Sequence, residues 1–97
     1  MRRCTIARAA SQDLDDIIDY FLSRNVDAGD RFIQSFNRKC QQLAQFPHTG
    51  RSYTEIMPEL RGMPLQGYII FYQVTDEAIT ILRVLSGYRD LRSVFLE

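Results

Sequence analysis

Tyr68-Ile69-Ile70-Phe71-Tyr72-Gln73-Val74, then Thr75-Asp76-Glu77, then Ala78-Ile79-Thr80-Ile81-Leu82-Arg83-Val84-Leu85 is the stretch that decides the fold. Both flanking runs are rich in β-branched and aromatic residues, which suit a pleated surface, and the three polar residues between them make a tight turn. The pair therefore predicts a β-hairpin. Neither run alternates cleanly between apolar and polar residues. Strands that are apolar at even and odd positions alike lie in the middle of a sheet and are covered on both faces. Two layers must be found elsewhere in the chain.

Upstream, Glu59 to Leu65 reads as an edge strand, because Pro64 has no N–H to give a ladder. The stretch from Pro47 to Pro58 is rich in Gly, Pro, Thr and Ser and reads as a loop. Before it come two amphipathic helices. In the first, Leu14, Ile17, Ile18, Phe21 and Leu22 form one stripe, with Ser11 as the expected N-cap and acids in the following turn. In the second, Phe32, Ile33, Phe36, Cys40, Leu43 and Ala44 form the apolar face, Asp27 is the expected cap, and Pro47 ends it. The short break at Ser23-Arg24-Asn25-Val26 makes the two an antiparallel helical hairpin. Arg3 to Arg8 reads as a short strand. The order is β-α-α-β-β-β with a short C-terminal segment, an α+β fold in which a helical hairpin packs on a small, mainly antiparallel sheet. Residues 1–97 form one domain. The helices cover one face of the sheet. The other face is left for a partner or for the segment Leu91-Arg92-Ser93-Val94-Phe95-Leu96.

Composition narrows the function classes. The 45% apolar and 25% charged fractions are those of an ordinary globular chain. No apolar run approaches a membrane span, and the basic N-terminus lacks an apolar region behind it, so a soluble cytoplasmic protein is expected. Two cysteines, Cys4 and Cys40, permit one disulfide; buried reduced thiols are the preferred reading. The single histidine, His48, sits in a loop and reads as a solvated turn residue, so neither a metal nor a cofactor is expected. Formal net charge is zero, and every basic residue is Arg except Lys39. Arg grips carboxylate or phosphate with a planar fork. Acids crowd the first helix at Asp13, Asp15, Asp16 and Asp19, while Arg61, Arg83, Arg89 and Arg92 dominate the last third. The chain lacks the overall basic character of a protein that binds nucleic acid by its backbone.

The element order resembles that of the RelE/ParE toxin superfamily, and so do several pieces in sequence. These are Asp13-Leu14 with Ile17 to Tyr20, the Pro47-x-x-Gly50-Arg51 turn, Arg61, Tyr68-x-x-x-Tyr72, and Ile81-x-Arg83-Val84-Leu85 leading to Tyr88-Arg89-Asp90. The ending is similar to ParE more than to RelE, although ParE proteins commonly carry His where this chain has Ser86. The resemblance implies the toxin of a type II toxin–antitoxin system, held inactive by a cognate antitoxin. ParE-type members act on DNA gyrase, and RelE-type members cut messenger RNA on the ribosome. A third reading is an antitoxin-binding module without toxicity. Fold alone does not choose, because function is carried by the site.

RNA cleavage needs a base, an acid and cations for the phosphate. Glu55 or Glu59 as base, Tyr88 as acid, and Arg61 with Arg83 as cations would serve. Against this stand the zero net charge and the lack of lysines on the sheet, which give little counterion release on ribosomal RNA. The favoured reading is inhibition of gyrase by binding, without catalytic residues and without direct sequence-specific nucleic-acid binding by the toxin alone. The candidate target-binding residues are Arg61, Arg83, Tyr88, Arg89 and Arg92. Arg51 and Asp90 are read as structural, Arg51 tying its loop to a carboxylate or to helix carbonyls, Asp90 pairing with Arg89. Each functional candidate has a plainer alternative. Arg83 would pair with an acid such as Glu59, and Arg61 would be an exposed edge charge. Tyr68 and Tyr72 would pack in the core with hydroxyls at the rim. The acidic run would be a solvated helix face.

Overall fold

A computed structural model describes residues 2–87 and 91–95. Its elements are β1 (Arg3–Ile6), α1 (Arg8–Leu22), α2 (Val26–Gln45), β2 (Arg51–Ser52), β3 (Leu60–Leu65), β4 (Tyr68–Val74), β5 (Ala78–Ser86) and α3 (Leu91–Phe95). Among the described residues the strands form one sheet in the order β1-β5-β4-β3-β2. β1 runs parallel to β5, and the other neighbours are antiparallel. The hairpin of β4 and β5 is indeed central, and both of its faces are covered. On one side Ile70, Tyr72, Ile79, Ile81 and Val84 meet Ala10, Leu14, Ile17, Phe32, Phe36 and Leu43 of the helices. On the other, Leu60, Phe71 and Leu85 meet Tyr53 of the β2–β3 loop and Leu91, Val94 and Phe95 of α3. The two-faced apolar pattern of the hairpin is the reason: each completely buried Ile or Phe side chain contributes roughly 1.5–3 kcal/mol, and one layer of helices would satisfy half of them.

Three local expectations are corrected. Helix α1 begins at Arg8, a turn before Ser11, and Ala7 caps it without a side-chain hydrogen bond. A tertiary anchor stands in for the cap: Ala7 N–H donates to Ile81 O at 2.9 Å while Ala7 O accepts from Ser11 N–H. Helix α2 is capped by Asn25, whose side chain accepts from Ala28 N–H at 3.2 Å, and Asp27 falls inside its first turn. Within the expected loop, Arg51 and Ser52 form a two-residue strand against Gly62 and Arg61. Strand β3 is therefore an edge only from Met63 onward, which is where Pro64 sits. The two helices approach closely at Gly29, where a Cβ would come within 2.7 Å of Leu22 Cδ2.

Strand β1 ends opposite Ile81, so among the described residues the outer side of β5 has no strand neighbour beyond that point. At the same place β5 carries a β-bulge: Tyr72 is opposite Ile81, Phe71 is opposite Arg83, and Leu82 is the extra residue. A bulge re-aims side chains and bends the strand. What it presents here is Arg83.

Candidate functional site

Arg83 reaches α1 and not Glu59. Its Nε and Nη2 donate to the two carboxylate oxygens of Asp13 at 2.7 and 2.9 Å. This is the bidentate geometry that makes Arg–carboxylate pairs strong. Asp13 Oδ2 also accepts from Val84 N–H at 3.0 Å, so one carboxylate serves a backbone amide that β1 is too short to pair. The side chains are 27% and 14% exposed, enough burial to matter and too little to exclude solvent. Asp13 holds the Arg83 guanidinium still more firmly protonated than usual, against the opposing effect of burial. The acidic run is thus not uniformly a solvated face. Asp15, Asp16 and Asp19 are exposed, whereas Asp13 turns inward. Its sequence signal was its spacing: Asp13 lies four residues before the buried Ile17 and shares its flank.

Arg61 is half-buried rather than an exposed edge charge. Its Nη1 donates to Gly50 O at 2.8 Å and to His48 O at 3.2 Å. The same turn is held from below by Tyr72, whose hydroxyl donates to Pro47 O at 2.7 Å and accepts from Gly50 N–H at 3.0 Å. Tyr72 is fully buried, so its hydroxyl works inside the core and not at the rim. Burial raises its pKa, partly offset by the Gly50 amide and the Arg61 charge. Gly50 is required there, because a Cβ would collide with the Tyr72 hydroxyl and come within 2.9 Å of Gly62 O. Tyr68 keeps to the expected role, edge-on to Phe21 and Phe32. Arg51 turns neither to a carboxylate nor to helix carbonyls among the described residues: it lies over the Tyr53 ring, 4.7 Å from its centroid, with Nη1 3.4 Å from the Tyr53 hydroxyl.

Arg61 and Arg83 are consequently not brought together. Strand β4 separates them, and they reach in opposite directions, one to the 47–50 turn and the other over the outer edge of β5. Arg92 stands exposed on α3. Tyr88, Arg89 and Asp90 lie outside the described residues. His48, Glu55 and Glu59 are exposed, and Glu59 adopts a left-handed backbone (φ 63°) in the β2–β3 connection. Among the described residues no cluster of His, Cys, Asp and Glu has a metal-binding arrangement, and no helix is long and apolar enough to cross a membrane. Beside the bulge, α1 and the end of β5 enclose a small cleft lined by Asp13, Asp16, Ile17, Tyr68, Val84, Leu85 and Ser86.

A helical hairpin on a mainly antiparallel sheet, with Arg83 tied to a carboxylate and Arg61 to carbonyls of the chain itself, defines a small α+β domain. Residues 5–91 match the family model described as ParE toxin of type II toxin-antitoxin system, parDE. The chain belongs to that ParE toxin family. Two curated relatives come from Caulobacter vibrioides. Toxin RelE3 is 31% identical over 85 residues, 87% of this chain and 92% of its own length. Toxin ParE3 is 27% identical over 92 residues, 94% of this chain and 92% of its own. The fold is also that of a chain solved as the chromosomal ParDE TA system from P. aeruginosa, with a TM-score of 0.73 at 22% identity, covering 89% of this chain and 96% of that one.

Proposed function

We propose that this toxin inhibits DNA gyrase by binding it, in the cytoplasm, and that a cognate antitoxin neutralises it. What supports binding over RNA cleavage is the engagement of the two strand arginines. Arg83 is taken up by Asp13, and Arg61 by the carbonyls of Gly50 and His48. A ribonuclease would need those cations turned toward a substrate phosphate, beside an acid and a base. In this reading Arg83 and Arg61 hold the frame, and the target is met by the segment that follows β5, with Tyr88, Arg89 and Arg92. The antitoxin lies as an extended or helical segment across the toxin, burying apolar surface and pairing with Arg side chains.

The test is a supercoiling assay with purified gyrase, run beside ribosome-dependent cleavage of a reporter messenger. Gyrase inhibition with accumulated cleaved DNA and intact messenger is the expected result. Cut messenger with normal supercoiling would overturn the proposal and make Arg61, Arg83 and Tyr88 catalytic candidates. Silence in both assays, from a protein that melts cooperatively and binds its antitoxin, would point to the non-toxic module. Arg89→Ala and Arg92→Ala test the site: each should weaken gyrase inhibition in a protein that still melts cooperatively and binds its antitoxin.

A further inference from the structure

Cys4 of β1 and Cys40 of α2 are both unbridged, and both side chains pack against the main core where α2 lies beside β1. The backbone brings them there. Arg2 N–H donates to Ala44 O at 3.1 Å, which lays the start of β1 beneath the last turns of α2. From Ala44 back to Cys40 is one helical turn, about 6 Å along the axis. From Arg2 forward to Cys4 is two strand residues, about 7 Å. The steps match, so one sulfur arrives opposite the other. Both side chains pack on the margin of the main core and both are only partly buried. The backbone register sets them opposite each other, and their partial burial leaves them open enough to be reached.

We propose that Cys4 and Cys40 form an oxidisable dithiol, a modification site at which a peroxide closes a disulfide between β1 and α2. The sulfur of Cys4, as thiolate, attacks one peroxide oxygen; the O–O bond breaks and hydroxide leaves, giving a sulfenic acid on Cys4. Hydroxide takes the Cys40 proton and becomes water. The Cys40 sulfur then attacks the Cys4 sulfur, an S–S bond forms, and the hydroxyl departs to become the second water with the proton that Cys4 had released. Two thiols lose two electrons, and one peroxide is reduced to two waters. The roles follow from the opposite effects that the two neighbouring thiols have on each other. Donation from Cys40 draws the Cys4 pKa down from 9.0 to about 7, over the opposing effect of burial. The same bond, with burial and the Cys4 charge, raises that of Cys40. Cys4 is the attacking thiol and Cys40 the resolving one. The closed bond would tie β1 to the far end of the helical hairpin, and it would restrict the unfolded chain far more than the folded one, which already holds the two residues side by side.

The experiment treats the full chain with one equivalent of hydrogen peroxide. The expected product is about 2 Da lighter, monomeric on a non-reducing gel, and has lost both alkylatable thiols. Its melting temperature should rise by about 5 °C or more and return on adding dithiothreitol. In Cys40→Ser, the same treatment should leave a sulfenic acid on Cys4, trapped by dimedone, with no rise in melting temperature. Two thiols still alkylatable in the treated wild type would overturn the proposal. So would an intermolecular dimer, or arrest at the sulfenic acid when both cysteines are present.

Discussion

The Asp13 carboxylate accepts both fork hydrogen bonds of Arg83 and, on the same oxygen, the N–H of Val84. The first helix is thereby fastened to the last strand at the point where β1 runs out. Asp13 and Arg83 are not equivalent partners in this arrangement. Removing Asp13 orphans a half-buried guanidinium and a backbone amide together. Removing Arg83 leaves Asp13 still bonded to Val84 and able to draw water.

Asp13→Ala should therefore cost more stability than Arg83→Ala. With both groups partly solvated, about 1–3 kcal/mol is expected for Asp13→Ala and about 1 kcal/mol for Arg83→Ala. Urea unfolding of the two variants beside the wild type measures the difference. Equal losses would mean that the Val84 hydrogen bond contributes nothing and that the pair acts as a simple ion pair.

Tyr72→Phe keeps the ring and deletes the hydroxyl that joins Pro47 to Gly50. One carbonyl and one amide lose a buried partner, so a loss of about 1–3 kcal/mol is expected, with hydrogen exchange of the Gly50 amide accelerated. Slow exchange at Gly50 in this variant would show that Arg61 alone holds the turn.

Phe95 sets its ring edge-on to Phe71, 5.3 Å between centroids, and so seals the sheet face opposite the helices. Truncation to Phe95→Ala uncovers Phe71, which is otherwise fully buried. Loss of an aromatic contact and its burial should destabilise by roughly 2–4 kcal/mol, the ring being only half-buried, and should raise dye binding to exposed apolar surface. An unchanged melting temperature would place α3 outside the folding unit.

The two thiols make stability depend on pH in a way that can be signed. Cys4 titrates at about 7 in the folded protein against an ordinary 9.0, so the native state sheds its proton first. Between pH 7 and 9 the unfolded chain holds more protons, and stability rises with pH. Above 9 the unfolded chain also gives up the proton that the folded state keeps on Cys40, whose pKa is raised, and stability falls again. A maximum near pH 9, measured by denaturation under reducing conditions, is expected in the wild type and should vanish in Cys4→Ser. Persistence of the maximum in that variant would assign it to other groups.

The central hairpin and both helices were legible because each is written in a local pattern: apolar residues on both faces of β4 and β5, and stripes of period 3.6 on α1 and α2. Pro47 was equally legible as the end of α2, since a proline needs no tertiary context to stop a helix. What failed depended on distant partners. Ser11 looks like a cap, yet Ala7 is pinned by Ile81 and the helix starts there. Arg51 and Ser52 are too short a run to announce a strand, and β3 alone makes them one. Arg83 could be read as a paired cation, but sequence offered Glu59, near in the chain, while the fold supplied Asp13, seventy residues away. The covering of the second sheet face was left open between a partner and the C-terminal segment, and α3 provides it. Of the candidate site, Arg61 and Arg83 proved to have employment inside the molecule, and Tyr88, Arg89 and Asp90 fall outside the described residues.

Strand β1 pairs Arg3 through Ile6 with Ala78 through Ile81. A ribosome making this protein therefore releases the first strand long before its mate exists. Until the hairpin of β4 and β5 emerges, α1 and α2 have no sheet to lie on, and the loop to be closed spans both helices and the three strands between β1 and β5. Folding of this domain accordingly waits for β5, and a chain stalled before Ala78 leaves β1 without its partner and both helices without the strand they pack on.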